Sequence, residues 1–194
     1  MHVQLLRVVR AQAFAYSLGQ QERPTTLIDT RQLGDPGTPA FQVEKYPFYL
    51  LNRLVARYNS IIEERLRAIG LDIPYWRVLM ILGQQSPLSI RDIAGAAVIN
   101  LSTMTRIVQR MTAVGLVDCR TRPEDNRVTE VSLTPSGEEK LAAARAATAP
   151  VYHKVIGGVG RSEFDQIIES LNRFHTNLEE LEPPRRRPKK ATAD

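Results

Sequence analysis

The segment Leu88–Thr134 constrains the fold of this 194-residue chain more than any other stretch. It contains two short helical patterns joined by a tight turn, followed by two strand patterns around a charged turn. In the second helical pattern apolar residues recur every three or four positions, which predicts one buried stripe on a helix. That stripe consists of Met104, Ile107, Val108, Met111 and Val114.

The opposite face of this helix is polar, carries two arginines and contains no acid. It consists of Thr103, Thr105, Arg106, Gln109 and Arg110. Taken alone, such a face is typical of any solvated helix. A helix also fits the major groove of DNA, where side chains near its N-terminus reach base edges and its N–H groups favour phosphate. Asn100 or Ser102 is expected to cap the helix.

Two strands rich in β-branched residues are predicted at Val117–Thr121 and Val128–Leu133. The residues between them include proline, aspartate and asparagine, which are typical of a turn. Arg127 lies near the tip of this hairpin and could enter a minor groove, whose negative potential attracts arginine. Asp125 is expected to position Arg127, either as a local ion pair or in support of DNA contact. The helix and hairpin together predict a winged helix-turn-helix.

The stretch 99–141 resembles the recognition helix, wing and following helix of the MarR family of bacterial transcription regulators. The matching features are Ser102-Thr103-x-Thr105-Arg106, Gly115-Leu116-Val117, Pro123-x-Asp125-x-Arg127 and Leu133-Thr134-x-x-Gly137. Val98 departs from the pattern, because many helix-turn-helix joins place glycine there. The resemblance implies a mainly α fold with a small antiparallel β-wing: a winged helix-turn-helix domain plus a helical dimerisation region.

The expected organisation has three parts. Residues 1–40 form a leader outside the main fold, with a helical pattern followed by a proline- and glycine-rich stretch compatible with partial disorder. Residues 41–182 form the MarR-type domain, in which dimerisation helices at about 41–70 and 135–182 surround a DNA-binding core at about 73–134. Residues 183–194 form a basic tail, either solvated or a further phosphate anchor.

Local signals predict the helix limits. A long helix is expected from Phe41 to Ile69, ended by Gly70, and another from Ile73 to Gln84. Ser89 should cap the next helix, with Asp92 three residues on.

After the wing, Thr134 should cap a helix that runs to about Thr148 and stops near Pro150. Ser162 should cap the last helix. The first and last long helices carry more apolar surface than one small domain needs, which predicts a homodimer.

Charge is concentrated in the predicted DNA-facing part of the chain. Residues 77–127 hold seven arginines against four acids, whereas 41–182 as a whole is neutral and the tail carries +4. This segregation is what phosphate binding requires. The apolar runs are too short to cross a bilayer, and Arg7 and Arg10 interrupt any secretory pattern. We therefore expect a cytoplasmic protein with no membrane association.

These features predict a sequence-specific DNA-binding regulator, a homodimeric repressor on a pseudo-palindromic operator in double-stranded DNA. Arg106 is the leading candidate for a base contact, since a guanidinium can bond guanine O6 and N7 together. The predicted DNA-binding residues are Ser102, Thr103, Thr105, Arg106, Arg110, Arg122, Asp125 and Arg127.

The resemblance also implies release by a small aromatic or phenolic effector, or its thioester, bound between the dimer helices and the winged domain. The candidate lining residues are Tyr46, Tyr49, Arg53, Tyr58, Trp76, Arg77 and Met80. The alternative for each of them is ordinary core packing.

Other functions find less support in the sequence. Cys119, the single cysteine, lies near two arginines in a wing strand, so redox sensing is one hypothesis and a structural role the other. The three histidines have no metal-site spacing, and no catalytic grouping or nucleotide fingerprint is present. We therefore expect no metal, no cofactor and no enzyme. A ligand-independent regulator and a protein-interaction adaptor remain as alternatives.

Overall fold

The computed structural model describes residues 29–181. The helices of this part are α1 Thr30–Leu33, α2 Pro47–Arg67, α3 Ile73–Leu82, α4 Ile90–Ala97, α5 Leu101–Ala113, α6 Pro135–Ile156 and α7 Arg161–Leu181, with a 3₁₀ helix at Val43–Lys45. The strands are β1 Leu88–Ser89, β2 Val117–Arg122 and β3 Asp125–Leu133. The predicted fold class, mainly α with a small antiparallel wing, is confirmed. The helical pattern at 1–22 and the basic tail lie outside the described residues.

The chain divides into two compact units, one ending at Arg57 and the other beginning at Tyr58. In the first unit Asp29 caps α1 by accepting a hydrogen bond from the backbone N–H of Arg31 at 3.0 Å. The ring of Tyr46 meets Phe41 and Phe48 edge-on, with centroids 5.8 Å and 5.6 Å away. Aromatic contacts therefore order the segment that leads into α2.

The core of the second unit is formed by side chains from α2 to α6 and the sheet. Burying one such aliphatic side chain stabilises the fold by about 1.5–3 kcal/mol. The largest fully buried side chains are Ile62, Leu66, Val78, Leu79, Leu82, Ile93, Met104, Ile107, Val108, Met111, Val117 and Val131.

A three-stranded antiparallel sheet with the strand order β1-β3-β2 packs against this core. Val117 is paired with Leu133, and Val131 with Cys119 on one side and Leu88 on the other. Periodicity predicted β2 and β3 but not β1, because two residues are too few to show an alternating pattern.

Three predicted helix caps are present. The Ser89 hydroxyl accepts from the N–H of Asp92 at 3.1 Å, and the Thr134 hydroxyl accepts from the N–H of Gly137 at 3.0 Å. Asn100 caps α5 by accepting from the N–H of Thr103 at 2.8 Å. These side chains satisfy orphan donors at the helix starts and so define where α4, α5 and α6 begin.

Several predicted helix limits were wrong. The long helix begins at Pro47 rather than Phe41, because a proline lacks the N–H and is most favourable in the first turn of a helix. The next helix ends at Leu82, two residues before the predicted Gln84. Val114, predicted to be buried, follows the end of α5 and is 60% exposed.

The two C-terminal helices also differ from the prediction. Helix α6 continues through Pro150 to Ile156. A proline inside a helix removes one backbone hydrogen bond. In the turn before Pro150 the Thr148 hydroxyl donates to the Ala144 carbonyl at 2.8 Å. Helix α7 begins at Arg161, so Ser162 lies inside it rather than at its cap. Within residues 29–181 no helix combines the length and hydropathy that a membrane span requires.

Candidate nucleic-acid interface

The join between α4 and α5 is a left-handed turn. Val98 ends α4 with φ 55° and ψ 46°, and the N–H of Ile99 bonds the carbonyl of Ala94 at 3.0 Å. This is a Schellman arrangement, in which the left-handed position is usually glycine. The β-branched Val98 is 90% exposed there and gains no burial in return, so the turn is strained. Val98 is the position at which this sequence departs from the glycine of many helix-turn-helix joins.

Helix α5 presents the predicted polar face to solvent. Met104, Ile107, Val108 and Met111 anchor the opposite side, each at most 2% exposed. Because these residues face the core, the polar side chains on the other side of α5 face solvent. The residues Thr103, Arg106, Gln109, Arg110 and Ala113 line one open groove along the exposed face.

The predicted residues of α5 differ in how free their polar groups are. The Ser102 hydroxyl donates to Asn100 Oδ1 at 2.9 Å, and the Thr105 hydroxyl donates to the Leu101 carbonyl at 2.8 Å. Arg106 is exposed and makes no salt bridge within residues 29–181. Its guanidinium is therefore available to a ligand.

Arg110 has a partner that the sequence did not reveal. Its Cζ lies 5.7 Å from the centre of the Tyr75 ring, near the start of α3. A guanidinium over a phenol ring is held by a cation–π attraction. The ring leaves the N–H donors at the guanidinium edge free to bind an anion. Helical periodicity carries no information about a partner 35 positions earlier in the chain.

The wing tip is shaped by Asp125. Its Oδ1 accepts a hydrogen bond from the backbone N–H of Arg127 at 3.0 Å, rather than from the guanidinium. In the described part of the chain the Arg127 guanidinium makes no salt bridge. Asp125 thus fixes the backbone that carries Arg127 and leaves its charge exposed.

Arg122 behaves differently from Arg127. The register shifts between Thr121 and Arg122, and this irregularity in β2 places the Arg122 Nε 2.7 Å from Glu130 Oε1. The hydrogen bond with Glu130 is the largest cause of a raised pKa of Arg122; desolvation opposes it, and the charges of Glu130, Glu124 and Asp92 add to it. Glu130 could not be recognised from the sequence as the partner of Arg122, because the pairing depends on the strand register.

A second groove connects the wing with α4 and α5. It brings together the predicted residues Thr105, Arg122, Asp125 and Arg127. The first groove gathers Thr103, Arg106 and Arg110, while Ser102 lines neither of these two grooves. Seven of the eight predicted DNA-binding residues are therefore divided between two grooves of the second unit, with Thr105 of α5 lying in the groove of the wing.

The predicted effector residues lie in both units. In the first unit Tyr46 belongs to the aromatic cluster, and Arg53 Cζ lies 5.4 Å from the Tyr49 ring centre. In the second unit Tyr58 is partly buried, which raises its pKa. All three tyrosines are only partly exposed.

Trp76 is the most informative of the effector candidates. Its ring packs against the core, yet its indole N–H is buried without a hydrogen-bond partner in the described residues. A buried donor without an acceptor is rare, because it loses its bond to water and gains nothing. Arg77 and Met80, on the same helix, are half-buried.

Cys119 is half-buried, and its Sγ lies 3.4 Å from the Thr112 hydroxyl. The two nearby arginines are engaged elsewhere: Arg120 with Asp118 at 3.0 Å and Arg122 with Glu130. These ion pairs weaken the reason for proposing a redox role. Within residues 29–181 no group of three or more potential metal ligands is present.

Comparison with known proteins places this geometry among transcription regulators. The model of the MarR family matches residues 71–129. The chain is 37% identical to the HTH-type transcriptional repressor IacR of Pseudomonas putida over 147 residues, which are 76% of this chain and 88% of that protein.

Solved structures agree with this similarity. A MarR-family regulator from Silicibacter pomeroyi, 28% identical, superimposes with a TM-score of 0.65 over 70% of this chain and 92% of its own. CouR from Rhodococcus jostii RHA1, solved bound to p-coumaroyl-CoA, is 19% identical and gives a TM-score of 0.64 over 69% of this chain and 94% of its own. This second likeness concerns the fold alone.

Proposed function

Because the chain belongs to the MarR family of DNA-binding transcription regulators, we propose that it is a homodimeric repressor of a pseudo-palindromic operator. One recognition helix, α5, would enter the major groove of each half-site, and each wing would enter a flanking minor groove. The observation that carries this proposal is the pair of free guanidinium groups, Arg106 on the helix and Arg127 on the wing. They lie on two exposed surfaces of one rigidly packed unit.

The residues have different proposed roles. Arg106 would read a base edge, while Thr103, Thr105, Ser102 and Arg110 would contact phosphates and bases around it. In the wing Arg127 would enter the minor groove, and Asp125 and Arg122 would support the hairpin that carries it. The positive charge of these arginines favours duplex DNA over a protein partner, which argues against a protein-interaction adaptor.

DNA recognition can be tested by competition. Full-length protein is mixed with a labelled fragment of the DNA upstream of its own gene, and unlabelled native or shuffled duplex is added at about 150 mM salt. The native fragment should compete at least 1,000-fold better than the shuffled one, the lower end for specific regulators. Equal competition would refute sequence-specific binding, and the absence of any binding to the labelled duplex even at low salt would favour the adaptor.

The dimer is supported by the surface of α7. None of its 21 residues is buried, although Ile167, Ile168 and Leu171 are each 40–42% exposed on one face. An apolar face that one chain leaves uncovered indicates a protein interface. Residues 161–181 also carry five acids against two arginines, a charge that would be repelled from DNA. The second copy would therefore join through this end, and sedimentation at micromolar concentration should show a dimer.

We also propose that a small aromatic or phenolic molecule, or its thioester, releases the operator. CouR, solved with p-coumaroyl-CoA, supports this ligand class, and the buried N–H of Trp76 supports an acceptor on the ligand. Release requires that the effector bind better to a dimer whose recognition helices no longer match the half-site spacing.

A thermal-shift screen of aromatic acids and their coenzyme A thioesters tests this step. A ligand at about 100 times its Kd should stabilise the protein by roughly 2.7 kcal/mol. Trp76→Phe keeps the ring but removes the N–H, so it should reduce the shift caused by the same ligand. A complete absence of shifts across the panel would favour the ligand-independent alternative.

A further inference from the structure

We propose that Arg122 is a positioning residue, which holds the wing against the helix-turn-helix through Glu130 rather than contacting DNA itself. This inference rests on the proposed DNA-binding function and divides the work within the wing. Arg127 would contact the DNA, and the Arg122–Glu130 pair would hold the wing in the position from which Arg127 reaches it.

The first support is the geometry of the pair. Arg122 Nε lies 2.7 Å from Glu130 Oε1, and the side chains are only 38% and 24% exposed. The other wing pair, Arg120 with Asp118, is longer at 3.0 Å and is 84% and 48% exposed. Well-hydrated ion pairs contribute little to structure, whereas a short and partly shielded pair restrains its two side chains.

The second support is the location of Glu130. It lies on the middle strand of the sheet, paired with Arg120 on one side and with Ser89 on the other. Ser89 is the cap of α4, and its hydroxyl donates to Asp92 Oδ2 at 2.6 Å. Glu130 is therefore at the point where the wing meets the helix-turn-helix. A residue of β2 that binds Glu130 therefore holds β2, the outer strand, at the place where the wing meets the helix-turn-helix.

The third support is the charge around Arg122. Glu130, Glu124 and Asp92 all raise its pKa, with the Glu130 hydrogen bond as the largest cause. A phosphate at Arg122 would have to approach these carboxylates, whose repulsion offsets the attraction of the guanidinium. The Arg127 guanidinium makes no salt bridge in the described part of the chain, and the Asp125 carboxylate accepts from the Arg127 backbone N–H instead.

These observations lead to opposite expectations for Glu130. If Arg122 bound phosphate, Glu130→Gln would remove a repulsive charge and release the guanidinium, and DNA affinity would rise. If Arg122 positions the wing, the same change loosens the hairpin and DNA affinity falls. Asp118→Asn is the matched control, since it also removes one carboxylate paired with a wing arginine and so measures the general effect of lost negative charge.

The experiment measures the Kd of full-length protein for the duplex that the wild type selects, between about 50 and 200 mM salt. Glu130→Gln and Arg122→Gln should each weaken binding roughly tenfold, and the double variant should be no weaker than either single one. The salt slope should stay that of the wild type. Arg127→Gln should lower that slope by up to about 0.9 per wing, because one cation that neutralises phosphate charge from within the minor groove is lost.

An exchanged pair provides a check that does not depend on the stability of single variants. The Arg122→Glu, Glu130→Arg double variant should recover most of the affinity that Arg122→Glu loses. The proposal is overturned if this exchange recovers nothing, if Arg122→Gln lowers the salt slope as Arg127→Gln does, or if Glu130→Gln binds at least as tightly as Asp118→Asn. A wild-type protein without any sequence preference would overturn the proposed function as well, so the two failures are distinguishable.

Discussion

Helices α5 and α7 share one sequence pattern but differ in the burial of their apolar faces. Each carries apolar residues three or four positions apart along one face. In α5 the residues from Met104 to Met111 on that face are at most 2% exposed, whereas in α7 Ile167, Ile168 and Leu171 are 40–42% exposed. Periodicity thus shows that a face needs to be covered, and only the structure shows whether the same chain covers it. Within residues 29–181 the apolar face of α5 is covered and that of α7 is not, and we propose that a second copy covers α7.

The largest expected effect is the loss of folding stability when the buried face of α5 is cut back. Met111→Ala should reduce the free energy of unfolding by roughly 2–5 kcal/mol, because it leaves a cavity in a packed core. Val114→Ala is the control on the same helix end, and it should cost less than about 0.5 kcal/mol since Val114 is exposed. Urea unfolding measures both, and equal losses would contradict the assignment of the two positions.

A charge on the apolar face of α7 should instead disrupt self-association. Leu171→Glu should weaken dimerisation by roughly 100-fold, equivalent to about 2.7 kcal/mol, because a carboxylate would be buried in the interface. Thr176→Glu places the same charge on the opposite face of α7 and should have little effect. Sedimentation equilibrium distinguishes them, and a Leu171→Glu protein as dimeric as the wild type would place the interface elsewhere.

Removing the charge of Arg127 should affect neither the folding stability that depends on α5 nor the self-association through α7. Arg127→Ala should weaken operator binding by roughly 1–3 kcal/mol, because one minor-groove contact is lost while folding and self-association persist. Arg120→Ala removes an arginine that is already paired with Asp118 and should weaken binding less. Fluorescence anisotropy gives the affinities and thermal unfolding the stability. Unchanged affinity with native stability would remove the wing from the mechanism.

The smallest expected effect is a gain in stability at the join before α5. Val98→Gly should raise the free energy of unfolding by about 1 kcal/mol, because glycine adopts the left-handed conformation without the Cβ clash. The melting temperature should rise by about 2–4 °C in differential scanning calorimetry. Val98→Ala retains a Cβ and should gain much less. A destabilised glycine variant would mean that flexibility in the unfolded chain outweighs the relief of strain.

The sequence predicted those features that depend on near neighbours. Ser89, Asn100 and Thr134 cap helices because each bonds an N–H only three residues away. Prolines were harder to interpret. Pro47 begins a helix and Pro150 continues one, and which of these occurs depends on the surrounding packing rather than on the proline itself.

The candidate site was predictable in its composition but not in its pairings. The exposed face of α5 and the tip at Arg127 followed from periodicity and turn residues. The partners Tyr75 of Arg110 and Glu130 of Arg122 depend on the tertiary contacts of α3 with α5 and on the strand register. A pattern in one element cannot report which residue of another element lies beside it.

We propose that two copies of the α5-and-wing unit, joined through their apolar helices, bind one duplex together. Hydroxyl-radical footprinting of full-length protein on the DNA upstream of its own gene tests this most directly. We expect two protected half-sites related by two-fold symmetry, about one helical turn apart from centre to centre, with protected minor grooves on the outer flanks. A single protected half-site, or uniform protection no different from that on random duplex, would contradict it.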